Sequence, residues 1–309
     1  MPVLSLSVQH AVRGFMETKR TTFDSRLLPY MLLAPQLIIT LIFFIWPAAQ
    51  AVKSSFERED PFGMATVFVG LTHYQNLLAD PNYLDALART AVFAVSVTVL
   101  SMVLGLAFAA AVDRLIRTGR IYTTLLVWPY AVAPVIAGVL WWFMFNTSTG
   151  ILPYYLQFIG VKWDHDLNGT HAMILIIIAA AWKQISYNFL FFLAGLQSVP
   201  QSLMEAAAID RSGPVKRFFT ISLPLISPTT FFLFIINVNY TMFDTFPIID
   251  ATTNGGPAQA TTTLVYKVFI DGYVGLNIGS SSAQSVLLML IVMALTFIQF
   301  RYVERRVQY

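Results

Sequence analysis

The chain of 309 residues contains no cysteine, which excludes disulfides, thiolate nucleophiles and cysteine-held zinc. Charge is also scarce. Only 11% of residues are Asp, Glu, Lys or Arg, against the roughly 25% usual for a soluble domain. A formal net charge of +3 is too small to suggest a nucleic-acid partner. None of the six lysines follows a glycine, so no phosphate-cradling Gly-Lys loop is present. The four histidines, His10, His73, His165 and His171, lack metalloprotease spacing, and there is no Gly-x-Ser-x-Gly turn. The sequence therefore predicts no catalytic residue, no metal site and no cofactor bound by this chain. His165 and His171 read as solvated loop residues.

What is abundant is apolar surface. Hydrophobic residues make up 57% and aromatics 14%, and the mean hydropathy is +0.66. Lipid is the solvent that such a chain suits. A hydrocarbon core about 30 Å thick needs roughly 20 apolar residues at the helical rise. Six stretches reach that length, near 27–52, 90–112, 121–145, 171–198, 223–249 and 284–300. Free backbone groups have no partner in lipid, so the expected fold is an all-α integral membrane protein of six transmembrane helices. The first stretch carries Ala49-Gln50-Ala51 after its apolar run, as a signal peptide would, but it exceeds a signal core in length and follows a 26-residue polar leader. It is read as a span.

Basic residues set the orientation. With the N-terminus cytosolic, the inner segments hold Arg13, Lys19, Arg20, Arg26, Arg114, Arg117, Arg120, Arg211, Lys216, Arg217, Arg301, Arg305 and Arg306, thirteen in all. The outer segments hold five, Lys53, Arg58, Arg89, Lys162 and Lys267. That asymmetry predicts both termini inside. Lys183 alone lies within a span. The resulting division is a cytosolic segment 1–26, a first helix 27–52, an outer loop 53–89, a helical core 90–300 and a cytosolic tail 301–309.

The inner loop 199–222 carries the clearest motif. Ser198 with Gln201 and Ser202 with Glu205 have capping-box spacing, predicting a short helix over about 200–209. Gly213 and Pro214 end it. Leu203, Met204 and Ile209 leave that helix partly apolar, which suggests a partner groove. Glu205-Ala206-Ala207, the position that follows three intervening residues, and Ile221-x-Leu223-Pro224 resemble the EAA loop of permeases of binding-protein-dependent ABC importers. Arg211 stands where that family usually has glycine, and the glycine role is assigned to Gly213. The resemblance implies the type I ABC importer permease core, with a first helix peripheral to it. It also implies that Glu205, Ala206, Ala207, Asp210, Gly213, Leu223 and Pro224 couple the chain to an ATPase.

A narrower resemblance runs from Leu27 to Tyr309. The stretches WPYAVAPVIAGVLWWFMFN, WKQISYNFLFFLAGLQSVPQSLMEAAAID and FDTFPIIDATTNGGPAQATTTLVYK are similar to permeases of bacterial sn-glycerol-3-phosphate importers, in the carbohydrate-uptake group. It implies a multi-pass subunit of the bacterial cytoplasmic (inner) membrane that translocates glycerol-3-phosphate and related glycerophosphodiesters. The implied partners are a second permease subunit, two ATPase subunits that use ATP and Mg, an extracytoplasmic substrate-binding protein and membrane lipid. A sugar or oligosaccharide permease with the same loop is one alternative. A stand-alone secondary transporter or a lipid enzyme is another, although no self-similar halves and no catalytic constellation support either.

Polar side chains inside spans usually face a bundle interior or a wet path. The fourth span has Lys183, Gln184, Tyr187 and Asn188; the fifth has Asn237, Asn239, Tyr240 and Asp244. Lys183 and Asn237 both lie roughly 17 Å from their outer ends at the helical rise. As a set these residues are expected to line a substrate path, with Lys183 facing a phosphate. Taken singly, each could instead hold the bundle together, Lys183 by pairing with Asp244. Pro129, Pro134 and Gly138 are expected to shape the third span.

Overall fold

The computed structural model describes residues 27–59, 65–114 and 119–303. Arg13, Lys19, Arg20, Arg26, Arg117, Arg305 and Arg306, and with them the segment 1–26 and most of the tail, lie outside the described residues. Residues up to Gln50 form one unit and those from Ala51 onward another.

In the first unit, α1 (Leu28–Ser54, ending just past its boundary) is continuous through Ala49-Gln50-Ala51 and has the length and hydropathy of a span. Pro35 is accommodated within it, and none of its side chains is buried in the chain.

The second unit is a helical bundle built on α3 (Pro81–Asp113) and α7 (Gly169–Gln197). Small residues let their backbones come close: a Cβ on Gly105 of α3 would strike the Cβ of Asn188 at 2.7 Å and the backbone of Phe189. Phe93 and Val97 of α3 pack on Ile176, Ala179 and Ala180 of α7 to form the central cluster. Toward the inner loop 199–222, Ala109 and Val112 meet Phe189, Phe192 and Leu196. Asp80 caps α3 by accepting from the Asn82 N–H at 3.0 Å, followed by Pro81 at the first helical position.

The segment expected as a plain outer loop is folded. A hairpin of β1 (Glu57–Glu59) and β2 (Thr66–Phe68) pairs antiparallel with Arg58 opposite Val67. Helix α2 (Thr72–Ala79) follows, its His73 held 3.1 Å from the Glu57 carbonyl, and α3 begins well before the expected Thr90.

The third expected span is not one straight helix. It consists of α4 (Gly119–Val127), carried on by a 3₁₀ turn to Ala131, and α5 (Pro134–Phe145), bent by 103°. Proline supplies the cause. Pro134 has no N–H for the carbonyl four residues back and forces the preceding residue out of the helical region; Ala133 has ψ 141°. Helix α6 (Ile151–Phe158) lies between α5 and α7.

The inner loop forms α8 (Gln201–Ile209), and the chain then runs through α9 (Pro214–Leu225) and α10 (Ser227–Asp244), which meet at 70° across Ile226. Pro228 just past Ile226 is the corresponding breaker. Next come α11 (Phe246–Thr253), α12 (Leu264–Phe269) and α13 (Ile278–Ile298). Gly138 permits the close approach of α5 to α11, since a Cβ there would lie 2.9 Å from the Ala251 Cβ. Among the described residues there are four span-length helices, or up to six spans if each bent pair counts as one.

The histidines are not solvated loop residues. His165 is 2% exposed, and the His171 ring stacks on Trp163 at 4.7 Å. His171, in the first turn of α7, is half-buried, and its Nδ1 lies 3.0 Å from the Asp164 carbonyl.

Candidate functional site

Two places gather the polar residues that the sequence singles out. The first is a cavity of about 750 Å³ between α7, α10 and the bend of the third span. Its lining includes Lys183, Gln184 and Tyr187 from α7, and Asn239, Tyr240 and Asp244 from α10. Six of the eight expected path residues therefore share one cavity.

Asn188 and Asn237 are the exceptions. Each is completely buried. The Asn188 amide donates to Asn237 Oδ1 at 3.0 Å, the Asn237 amide donates back to Asn188 Oδ1 at 2.7 Å, and Ser101 Oγ donates to Asn237 Oδ1 at 2.9 Å. Asn237 also reaches the Leu233 carbonyl at 2.6 Å. These two residues take the packing alternative: they join α3, α7 and α10 through a closed hydrogen-bond network, as buried amides in a lipid-embedded bundle must.

Lys183 finds partners in the bend of the third span and not in Asp244. Its ammonium donates to the Tyr130 carbonyl at 2.9 Å and to the Val132 carbonyl at 2.7 Å, and lies 5.4 Å from the centre of the Tyr130 ring. Tyr130 is the residue whose carbonyl loses its helical donor because residue 134 is proline. Lys183 therefore supplies the hydrogen bond that Pro134 removes, and it closes the broken turn from across the cavity. Two of the three ammonium donors are used, which leaves one for a ligand or water. Among the described residues the ion pairs join Lys53 to Glu57, Arg89 to Asp85, Lys267 to Asp80 and Asp271, and His165 to Asp166; no Lys183–Asp244 pair forms. Asp244 lines the same cavity and is exposed.

The remaining lining is fixed by packing. Tyr240 is buried with its hydroxyl donating to the Ala180 carbonyl at 3.3 Å. The Asn239 amide donates to Ile235 at 2.9 Å, and the Tyr187 and Tyr130 rings sit 5.7 Å apart. Sequence reasoning missed Tyr130, Phe243 and Phe246, which also line the cavity. The signal for Tyr130 was available in the four-residue offset from Pro134. Above the cavity, the Tyr266 hydroxyl donates to Asp250 and Asn254, each at 3.3 Å. Burial first, then the Asp250 carboxylate, pushes this phenol up to about 12, so it stays a donor at neutral pH.

The second place is the loop around α8. Glu205, Ala206 and Ala208 face outward with Asp210, while Ala207 is half-buried. Leu203 is 45% exposed, Ile209 82%, and Val215 and Phe219 stand out beside them. The serine caps do not form. Ser198 closes α7 instead, its hydroxyl donating to the Gly195 carbonyl at 2.7 Å, and Pro200 precedes α8 with no side-chain cap. The glycine role also falls elsewhere than expected. Arg211 has φ 53°, and the N–H of Ser212 reaches the Ala207 carbonyl at 3.1 Å, a left-handed close to the helix. Gly213 has φ −66° and open space around it, so it carries no such need. Leu223 packs in the cluster of Phe189 and Phe192, and Arg217 donates to the Met204 carbonyl at 3.3 Å. These contacts tie the exposed helix α8 to the bundle.

Residues 98–309 match the family described as binding-protein-dependent transport system inner membrane component. The chain is 56% identical over 291 residues to the sn-glycerol-3-phosphate transport system permease protein UgpA of Rhizobium meliloti (strain 1021), covering 94% of this chain and 99% of that one. It is 54% identical over 294 residues to the protein of the same name from Escherichia coli (strain UTI89 / UPEC), covering 95% and 100%. The same fold occurs in a bacterial alginate ABC transporter solved with an alginate-bound periplasmic protein, with a TM-score of 0.78 at 19% identity over 91% of this chain and 95% of that one. A chain broken by bent spans around a polar cavity, with a tethered helix projecting from one end, thus belongs to the family of binding-protein-dependent transport system inner membrane components.

Proposed function

We propose that this chain is the non-catalytic translocation subunit of an ATP-driven importer that takes up sn-glycerol-3-phosphate and related glycerophosphodiesters. The observation that carries the substrate is identity above half, over nearly the full length, to permeases named for glycerol-3-phosphate transport. The cavity chemistry supports it. An ammonium fixed by two carbonyls keeps one donor for a phosphate oxygen, and Gln184, Asn239 and Tyr187 stand near it as partners for hydroxyls. A phosphate entering a low-dielectric path without a cation loses several kcal/mol of solvation.

The partners follow from the chain's exposed surfaces. The protruding α8, with Glu205 and Ala206 beside Leu203 and Ile209, docks an ATPase subunit, and ATP and Mg are used there. A second permease completes the path, and an extracytoplasmic binding protein delivers the ligand. Both termini and α8 face the cytosol, supported by the thirteen-to-five split of basic residues. The defining test is uptake in proteoliposomes holding the complete importer. ATP- and binding-protein-dependent accumulation of labelled glycerol-3-phosphate is expected, and accumulation of an oligosaccharide in its place would overturn the substrate assignment. Orientation is read by maleimide labelling, because the chain has no native cysteine. Labelling of Ser212→Cys from outside intact cells would reverse the topology.

A further inference from the structure

The segment between α5 and α7 holds a helix that the translocation chemistry does not use. After α5 the chain reverses through a turn in which Asn146 Oδ1 accepts from the N–H groups of Ser148 and Thr149 at 3.0 and 3.1 Å. Gly150 is wedged against the carbonyls of Met144 and Asn146, where no side chain fits. Helix α6 then lies folded against the bundle through one face, with Leu152, Pro153 and Leu156 directed at the cluster of Phe145, Trp163 and Leu175.

Its other face is also apolar. Ile151, Tyr154, Tyr155 and Phe158, with Ile159 just past its end, recur at helical spacing and are 56 to 73% exposed. Side chains of this size each lose roughly 1.5–3 kcal/mol when left in water instead of an apolar medium. Five together make a patch that a water-facing loop does not keep without cause.

Two further observations identify what covers it. No Asp, Glu, Lys, Arg or His occurs between Arg120 and Lys162. The docking face of a soluble partner carries a polar, charge-bearing rim, and this stretch has none. The patch also continues, across the short turn, the exposed apolar face of α5 formed by Val135, Ile136, Val139, Leu140 and Phe143, a face within the membrane span. Tyrosine rings with an apolar body and a polar tip belong at the junction of acyl chains and headgroups. Charge returns at Lys162, Asp164 and Asp166, and Asp166 accepts from the Thr147 hydroxyl at 3.3 Å in the turn before α6.

We infer that α6 is an interfacial lipid anchor. It lies along the membrane–water boundary with Tyr154, Tyr155 and Phe158 seated among lipid headgroups and upper acyl chains, and it fixes the turn between the bent third span and α7. Segment 146–168 is thus divided into a lipid-bound half and a charge-bearing half, and only the second offers charged groups to a soluble partner.

The absence of native cysteine makes the test direct. F158C and Y155C carry a nitroxide in the complete importer reconstituted in phosphatidylethanolamine–phosphatidylglycerol liposomes, with L167C, at a residue 84% exposed, as the water reference. These side chains point away from the bundle, so the substitutions leave the core intact. Power saturation compares dissolved oxygen, which partitions into lipid, with a water-soluble nickel chelate. The expected result is oxygen accessibility exceeding nickel accessibility at positions 155 and 158, with the order reversed at 167. Nickel exceeding oxygen at both 155 and 158 would mean a water-facing surface and would overturn the inference. Low accessibility to both reagents would mean cover by a protein subunit and would overturn it equally.

Discussion

Replacing Lys183 with methionine keeps the length of the side chain and removes its charge, and the structure sets the size of the effect. The ammonium makes two charge-assisted bonds, to the carbonyls of Tyr130 and Val132 at 2.9 and 2.7 Å. Bonds of that kind contribute about 1.5–3 kcal/mol each when the acceptor has no substitute. Here the carbonyls border a cavity that water can enter, so water recovers part of the loss. The net destabilisation of the bend between α4 and α5 is then about 1–3 kcal/mol, which moves the bent geometry by roughly 5- to 150-fold in equilibrium. The expected outcome is a complex that assembles, melts at a lower temperature and takes up glycerol-3-phosphate at least fivefold more slowly than wild type, a factor that corresponds to about 1 kcal/mol. Lys183→Arg keeps the charge and should recover much of the stability. The added change Asp244→Asn should not rescue Lys183→Met, because the two groups are not paired in the structure. Uptake is measured in vesicles with matched amounts of assembled complex, and melting on the same samples in detergent. Wild-type uptake and melting by Lys183→Met, or recovery in the double variant, would refute the reasoning.

Other substitutions separate the remaining roles. Arg211→Gly removes a side chain from a left-handed residue at φ 53° and should raise the stability of the loop by about 0.5–1 kcal/mol, seen as slower proteolysis around α8; faster proteolysis would contradict the turn assignment. Asn188→Leu leaves Asn237 short of a partner inside the α3–α7–α10 contact and should cost the complex about 1–2 kcal/mol by thermal melting, whereas Gln184→Ala should leave melting unchanged and alter the substrate concentration giving half-maximal uptake. If Asn188→Leu affects uptake alone, the packing role is wrong. Ala206→Trp, on the outward face of α8, should abolish co-purification of the ATPase subunits, and Glu205→Ala should weaken it. Normal ATP-driven uptake by both variants would remove the docking assignment.

The long apolar helices, the short helix of the inner loop and the common level of the polar residues were legible in the sequence because each rests on a local rule: apolar length against bilayer thickness, turn and breaker residues, and helical rise. Lys183, Gln184, Tyr187, Asn239, Tyr240 and Asp244 were grouped by depth and face alone, and they do line one cavity. Spacing cannot say which neighbour a polar side chain finds. Asn188 sits one turn from Gln184, yet the close α3–α7 approach at Gly105 and the arrival of Asn237 from α10 close it off from the cavity. Pro134 announced a break in the third span but not its 103° angle. Nor did it announce that Lys183, distant in sequence, bonds the carbonyls of Tyr130 and Val132 at that bend. The capping serines failed for a similar reason: α7 runs on to Gln197 and takes Ser198 for its own close. Local chemistry determined that this chain is built to cross a membrane and where its short inner helix lies; only the packing of α3, α7 and α10 decided which polar groups hold the bundle and which line the cavity.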